Sequence, residues 1–270
     1  MNSLLVRPRP PDESGCILEV TPESAGWRYV GFQLLDFPAG QRVSGSHVGR
    51  ETCIVVLTGT ALVSVGGESY GAVGGRASVF DELAPGAVYV PAGSIYAISA
   101  VTAVQIALCT APGGAGVGRA RCIGSQDMPR EVRGQGTNMR YVRNILPETQ
   151  PADSLLVVEV ITPGAHWSSY PPHKHDTALA NETALEETYY YRIAPAQGFA
   201  FQRVYTDDGT LDETMCLHDG DLVMVPRGYH PVGAAHGYDL YYLNVMAGAE
   251  RKWVARNDPA HEWIVNNRQR

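Results

Sequence analysis

No apolar stretch in this chain runs far before a glycine, proline or aspartate interrupts it. The runs "CIVVLTGTALVSV", "AVYVPAG", "AVQIALC", "SLLVVEVI", "ETYYYR", "FAFQRVYT", "DLVMVP" and "DLYYLNVM" are short and rich in Val, Tyr, Ile and Phe. These residue types suit a pleated, half-buried surface. With 29 Gly and 18 Pro available for turns, strands of this length build an all-β barrel or sandwich. Long helical periodicity is missing. The one fair helical candidate, "DTALANETALEE" from Asp176, also reads as a loop with a helical turn.

Two of these runs echo each other. "GAVYVPAGSIY" from Gly86 and "GDLVMVPRGYH" from Gly220 each give a glycine, an apolar strand and then Pro-x-Gly. Self-similarity of this kind predicts two copies of one β-domain. The join falls within residues 111–136, a Gly- and Arg-rich stretch without periodicity, and "NMRYVRNILPE" leads into the second copy. We place the first domain at residues 1–130 and the second at 131–270.

A chain of 270 residues with 44% hydrophobic and 18% charged residues has ample core and globular composition. Its net charge of −7 argues against nucleic acid as the main partner, because phosphate binding needs a basic face. The opening "MNSLLVRPRPPDESG" reads as neither signal peptide nor membrane span, and no membrane partner is expected. Cys16, Cys53, Cys109, Cys122 and Cys216 are widely spaced without a CxxC, which reads as buried free thiols in a cytoplasmic protein.

The chemistry concentrates in "YPPHKHDTALANETALEETYYYR" from Tyr170. Residues i and i+2 of a strand face the same way, so His173 and His175 project together if "PPHKH" enters a strand. Glu187 opens the next strand and can add a carboxylate. His230, after "DLVMVP" and "RGY", can supply a third nitrogen. Three imidazoles and one carboxylate suit one divalent metal ion, Zn, Mn, Fe or Ni. An HxH pair alone is weak, and a single His is more often a packing or surface residue. The ordered combination of HxH, Glu and Pro-x-Gly-x-His is what carries weight, and it is the arrangement of cupins.

The segments "WSSYPPHKHD", "EETYYYR", "GFAFQRVYTDD", "DGDLVMVPRGYHPV" and "YDLYYLNVMAG" resemble the 5-deoxy-glucuronate isomerase family of myo-inositol catabolism. That family consists of bicupins, with two double-stranded β-helix (jelly-roll) barrels in one chain. It is related to the 4-deoxy-threo-hexosulose-uronate ketol-isomerases. The likeness is dense over residues 137–265 and visible earlier at "RETCIVVLTGTALVSVGG", "RASVFDE" and "AVYVPAG". In the related ketol-isomerases an HxH, a Glu and a later His hold the metal, and the matching positions are His173, His175, Glu187 and His230. Glu186 competes for the carboxylate role; Glu187 is preferred because it directly precedes "TYYYR", as the ligand does in those relatives. The first half has His47 and Glu51 but no HxH, and Ile95 and Tyr96 stand where a histidine is expected. It therefore reads as a metal-free cupin that serves packing, an interface or closure of the site.

The resemblance implies isomerisation of the aldose 5-deoxy-D-glucuronate to the ketose 5-dehydro-2-deoxy-D-gluconate. Such a reaction needs oxyanion stabilisation, a proton shuttle and a cation for the substrate carboxylate. Alternation puts Tyr189 and Tyr191 on the face of Glu187. Tyr189 and Tyr242 are the acid/base candidates, each weighed against plain core packing. Arg203 is the candidate for the carboxylate; it shares a face with Phe199, Phe201 and Tyr205, while Gln202 lies on the other. Lys174 is expected to point away from the metal, and Arg227 and Tyr229 border the entrance or are solvated turn residues. A dioxygenase using the same ligands, or a non-enzymatic sugar-binding bicupin, are the competing functions. A homo-oligomer is expected, because partner subunits often cover strand edges.

Overall fold

In the computed structural model, which describes residues 3–114 and 116–266, each half of the chain folds as a jelly-roll sandwich. In the second half, one sheet runs Leu222–Val225, Leu185–Ala194, Asp239–Gly248, Leu155–Thr162. Facing it is a sheet of Trp167–Ser168, Val232–Ala234, Ala200–Tyr205 and Asp212–Leu217. In the first half the corresponding orders are Gly86–Val90, Arg50–Thr58, Val104–Pro112, Gly31–Phe37 and Arg42–Gly45, Tyr96–Ala100, Thr60–Val65, Glu68–Gly74. Counted from the start of each half, the two orders are the same. The faint Pro-x-Gly echo thus marks a structural duplication.

The segments outside the two sandwiches cover exposed strand edges. Leu5–Val6 pairs with Leu222–Val225 in the second barrel, and Arg121–Ile123 pairs with Gly86–Val90 in the first. Each edge would otherwise present unpaired N–H and C=O groups. The segment expected to belong wholly to the first domain therefore gives its leading strand to the second barrel. Positions 1, 2, 115 and 267–270, which the expected domain limits and join include, lie outside the described residues.

The two large sheets pack against each other, so their strands are buried on both faces. This explains why "CIVVL" and "YYLNVM" read as continuous apolar runs and not as alternation. One core joins Val55, Tyr89 and Cys109 of the first half to Tyr190, Tyr241 and Val245 of the second. Separate cores fill each barrel. Two carboxylates are paired across this interface. The buried Glu51 carboxylate accepts from the backbone N–H groups of Asp153, Ser154 and Leu155 at 2.6–2.7 Å, and from the Tyr89 hydroxyl at 2.6 Å. Glu186 does the same in reverse, accepting from the N–H groups of Arg28, Tyr29 and Val30 at 2.7–3.0 Å. Glu51 and Glu186 occupy corresponding places in "RETCIVV" and "LEETYYY".

A buried ionic group reinforces the joint. Arg76 donates to both Glu159 oxygens at 2.9 and 3.2 Å, Arg143 lies 3.5 Å away, and the Tyr241 hydroxyl donates at 3.1 Å. Other expectations resolve simply. Cys16, Cys53 and Cys109 are buried free thiols, but Cys122 and Cys216 are exposed. Among the described residues no helix is long and apolar enough to cross a membrane. Residues 176–184 form a loop closed by a Leu179–Glu182 bridge, without a helical turn.

Glu159→Gln keeps the side-chain volume and leaves two buried guanidiniums without their anion. It is expected to cost about 3–5 kcal/mol of unfolding free energy in urea titrations; a loss below about 1 kcal/mol would mean the triad does not hold the barrels together.

Candidate metal centre

Strand Leu185–Ala194 is buried on both sides and sorts its side chains by alternation. Tyr189, Tyr191 and Ile193 enter the core of the second barrel, and Tyr190 enters the core between barrels. Glu187 falls on the inner set and Glu186 on the outer, which is why the two adjacent carboxylates have different fates. Glu186 is spent on the backbone of residues 28–30. Glu187 is 1% exposed and faces His175 and His230.

The two histidines arrive from different loops. Lys174 and His173 pair with Arg256 and Asn257 in a short ladder that leads to His175. Glu182 ties down the following loop by accepting from the N–H groups of Asp176 and Thr177 and from Arg256. His230 follows the turn at Gly228, whose φ is 91°. A Cβ there would sit 2.4 Å from the Tyr205 carbonyl oxygen, so the turn requires glycine. The Gly228 N–H donates to Asp176 at 2.8 Å and locks the two loops together.

His175 Nε2 lies 3.1 Å and His230 Nε2 3.3 Å from the same Glu187 oxygen. The potential ligand atoms of these three residues all fall within 4.8 Å of one another, a group that could hold a metal ion. His173 stands beside them. Its ring centroid is 5.0 Å from that of His230 and 6.4 Å from that of His175. It is only half-buried, at the mouth of the group. The structure thus brings three of the four expected ligands into one cluster and sets the fourth at its edge.

The protonation pattern suits a cation. His230 donates Nδ1–H to the Gly228 carbonyl at 2.8 Å, which leaves Nε2 as a lone pair. That buried nitrogen has no hydrogen-bond partner and points at a carboxylate oxygen. Two electron-rich atoms facing each other in a dry site call for a positive charge between them. Burial pushes the pKa of His230 down to about 3, with neighbouring imidazoles adding to the effect and Glu187 opposing it. Burial, then the charges of His175 and Arg140, push His173 down to about 3 as well. Burial also works against a charge on His175, but the hydrogen bond and charge of Glu187 outweigh it and raise its pKa. Glu187 thus favours positive charge at His175, on the side of the cluster where a cation is stabilised. The Nδ1 bonds to backbone carbonyls aim both imidazoles inward, as outer partners of metal-binding histidines do.

Buried tyrosines pack beside the cluster. The Tyr189 ring lies 5.7 Å from His230 and 5.0 Å from Tyr242. The Tyr189 hydroxyl bonds to Ser169 at 2.9 Å, and that of Tyr242 bonds to Ser168. Ser169 holds φ at 50°, a left-handed conformation that non-glycine residues seldom adopt. Tyr191 donates to Gln202 at 2.9 Å. Burial raises the pKa of Tyr189 and Tyr242, so both hydroxyls stay protonated at neutral pH. The sequence reading missed Ser168, Ser169 and Gln202; "WSSY" directly ahead of the HxH segment was the available signal.

One expected site residue is misplaced. Arg203 points out of the barrel, half-exposed, and pairs with Asp212 at 2.8 Å. Strand Ala200–Tyr205 turns Ala200, Gln202 and Val204 inward, while Phe199 and Phe201 lie outside against each other. Its aromatic face is therefore the outer one. Lys174 faces away from the cluster and binds Asp176 and Asp207, each at 3.0 Å. Tyr229 is buried and donates to Asp207, and Arg227 donates to Thr210. In the first barrel Thr52 takes the place of Glu187. It pairs with Val90 as Glu187 pairs with Val225, each valine preceding its Pro-x-Gly turn. His47 meets Thr52 at 3.0 Å and stacks on Tyr96.

Paired jelly rolls with an imidazole–carboxylate cluster inside one of them define a bicupin. The chain belongs to the KduI/IolB family, whose profile matches residues 4–264. A protein of Geobacillus kaustophilus (strain HTA426) named 5-deoxy-glucuronate isomerase is 50% identical over 269 residues, 99% of this chain and 97% of that protein. The crystal structure of an IolB-like protein from Salmonella typhimurium LT2 superposes with a TM-score of 0.94 at 46% identity, covering 97% of this chain and 99% of that one. A formate complex of Lactobacillus farciminis oxalate decarboxylase superposes with a TM-score of 0.68 at 12% identity, over 99% of this chain and 91% of that one. That second likeness is one of fold alone.

The two neighbouring carboxylates separate by experiment. Glu187→Gln is expected to abolish stoichiometric divalent metal in elemental analysis while the fold persists. Glu186→Gln is expected to keep the metal and lose about 2 kcal/mol of stability; the opposite pattern would reverse their roles. The histidine pattern sets proton release. At about pH 5.5 three ordinary imidazoles would release nearly three protons on metal binding. Here about one is expected, from His175, with apparent affinity rising with pH as that proton is lost. Calorimetry in buffers of different ionisation enthalpy counts them.

Proposed function

We propose that this chain is a metal-dependent aldose–ketose isomerase that converts 5-deoxy-D-glucuronate to 5-dehydro-2-deoxy-D-gluconate in myo-inositol breakdown. The observation that carries this reading is the buried His175–Glu187–His230 cluster beside protonated tyrosines, in a chain that matches a named isomerase over 99% of its length. His173, His175, Glu187 and His230 would hold one divalent ion, Zn, Mn, Fe or Ni. When bound, such an ion supplies Lewis-acid polarisation of the sugar carbonyl and its neighbouring hydroxyl.

The reaction is redox-neutral within one molecule. A proton leaves C2 and one arrives at C1, while the hydroxyl proton of O2 departs and O1 gains one. Tyr189 and Tyr242 are donors before they are bases, because burial keeps their hydroxyls protonated. Their part is to donate to the sugar oxygens where negative charge develops and to relay protons between them. Ser169 and Ser168 fix those hydroxyls in place. The inner walls of Tyr191 and the Gln202 amide keep bulk water from the reacting carbons. The first barrel, with Thr52 where the second has Glu187, acts as a metal-free scaffold. The unpaired cysteines accord with a cytoplasmic location, and we expect a homo-oligomer.

Tyr242→Phe is expected to lower kcat about a hundredfold with metal content unchanged; unaltered kcat would assign the tyrosine to packing. The function itself is tested by NMR of the metal-loaded protein with 5-deoxy-glucuronate in D₂O under anaerobic conditions. The expected result is a 2-deoxy-keto acid whose formation stops on chelation and in His175→Ala. No turnover without oxygen, and turnover with it, would favour oxygen chemistry at the same ligands.

A further inference from the structure

A cavity of about 800 Å³ opens at the edge of the cluster, with His173 and Tyr170 in its wall. Its size suits a small ligand. In a chain of net charge −7, this cavity has no Asp or Glu among its described lining residues. It has instead two guanidiniums, Arg133 and Arg140, and the amides of Gln135, Asn138 and Asn257. Such a lining attracts an anion with hydroxyl groups attached.

The two arginines differ. Arg133 is committed to Glu131, 2.9 Å away, and to Asn144 at 3.2 Å. Arg140 has no carboxylate within 4.0 Å among the described residues, and its hydrogen bond goes to the Asn138 carbonyl at 3.1 Å. It begins strand Arg140–Leu146 and shares a face with Val142, which enters the core of the second barrel. Arg143, on the opposite face, turns to Glu159 between the barrels. The guanidinium is also held in position. Gly134, with φ 82°, lets the Asn138 carbonyl approach so closely that a Cβ there would sit 2.1 Å from that oxygen and 3.0 Å from Arg140 Nη1. Arg140 and His173 line the same cavity, so the guanidinium faces the space at the edge of the cluster.

We infer that Arg140 receives the substrate carboxylate, and so selects sugar acids over neutral sugars at this site. A guanidinium fork matches a carboxylate, and a partly desolvated one without a protein counter-ion gains most from the match. This assignment rests on the isomerase reading for the identity of the substrate. It moves the role expected of Arg203, which faces solvent, to a residue one sheet away.

The test uses binding, so that it does not depend on turnover. The ligands are 2-deoxy-D-gluconate, a sugar acid with no carbonyl to isomerise, and its neutral counterpart 2-deoxy-D-glucitol. Calorimetry on the metal-loaded wild-type protein is expected to show a preference for the acid of about tenfold or more. Arg140→Gln should lose that preference while its affinity for the neutral polyol, metal content and melting temperature hold; Arg140→Lys should keep part of it. An unchanged preference in Arg140→Gln would overturn the assignment, as would equal weakening of both ligands or a wild type without preference. Initial rates with 5-deoxy-glucuronate then separate the two readings. An Arg140-dependent preference without isomerisation would remove the isomerase and keep the carboxylate pocket. Isomerisation that Arg140→Gln leaves unchanged would do the reverse.

Discussion

Glu187 is a carboxylate buried to 1% exposure with no lysine or arginine within 4.0 Å among the described residues. Burying an anion in this way is costly unless a cation accompanies it. The second barrel is organised around that requirement. His175 meets the carboxylate with a proton, His230 presents a bare nitrogen to it, and the carbonyls of Leu185 and Gly228 fix both rings. A divalent ion held by His175, His230 and Glu187 would satisfy the same demand more fully than one proton. The tyrosines beside the cluster are the consequence of excluding water from such a site, and the same exclusion keeps their hydroxyls protonated.

The duplication shows how little separates the two barrels at this position. Both barrels retain the outer carboxylate of their central strand, Glu51 and Glu186, because each binds three consecutive backbone N–H groups of the other half. The inner position next to it is free to vary. A glutamate there, with histidines from two loops, gives the cluster; a threonine satisfied by His47, with Tyr96 stacked on the imidazole, gives a closed core. Removing the buried charge removes the need for a cation. The outer carboxylates make the joint, and the inner residue decides whether an imidazole–carboxylate cluster forms.

Strand alternation made most of this legible in the sequence. It placed Tyr189 and Tyr191 with Glu187, the likeness to the related ketol-isomerases favoured Glu187 over Glu186, and the repeated Pro-x-Gly turn exposed the duplication. It failed where both faces of a strand carry apolar residues. In "FAFQRVYT" the aromatic set looked like the interior, yet Phe199 and Phe201 lie outside and Gln202 lies within. Nothing local distinguishes the faces, because the choice depends on which neighbours the strand meets across the sheet. Ser168 and Ser169 were hidden for a related reason: their role comes from a left-handed turn that delivers their hydroxyls to tyrosines from two other strands. The exchange of Leu5–Val6 into the second barrel joins residues more than two hundred positions apart in sequence, beyond the reach of any local pattern.

Anomalous diffraction from crystals of the metal-loaded protein, collected across the absorption edge of the bound ion, tests the central claim most directly. The account predicts one anomalous peak per chain, bonded to Glu187 and the imidazoles of His173, His175 and His230, and none beside His47. A peak in the first barrel, or an ion on Glu186 with Glu187 unbound, would contradict it.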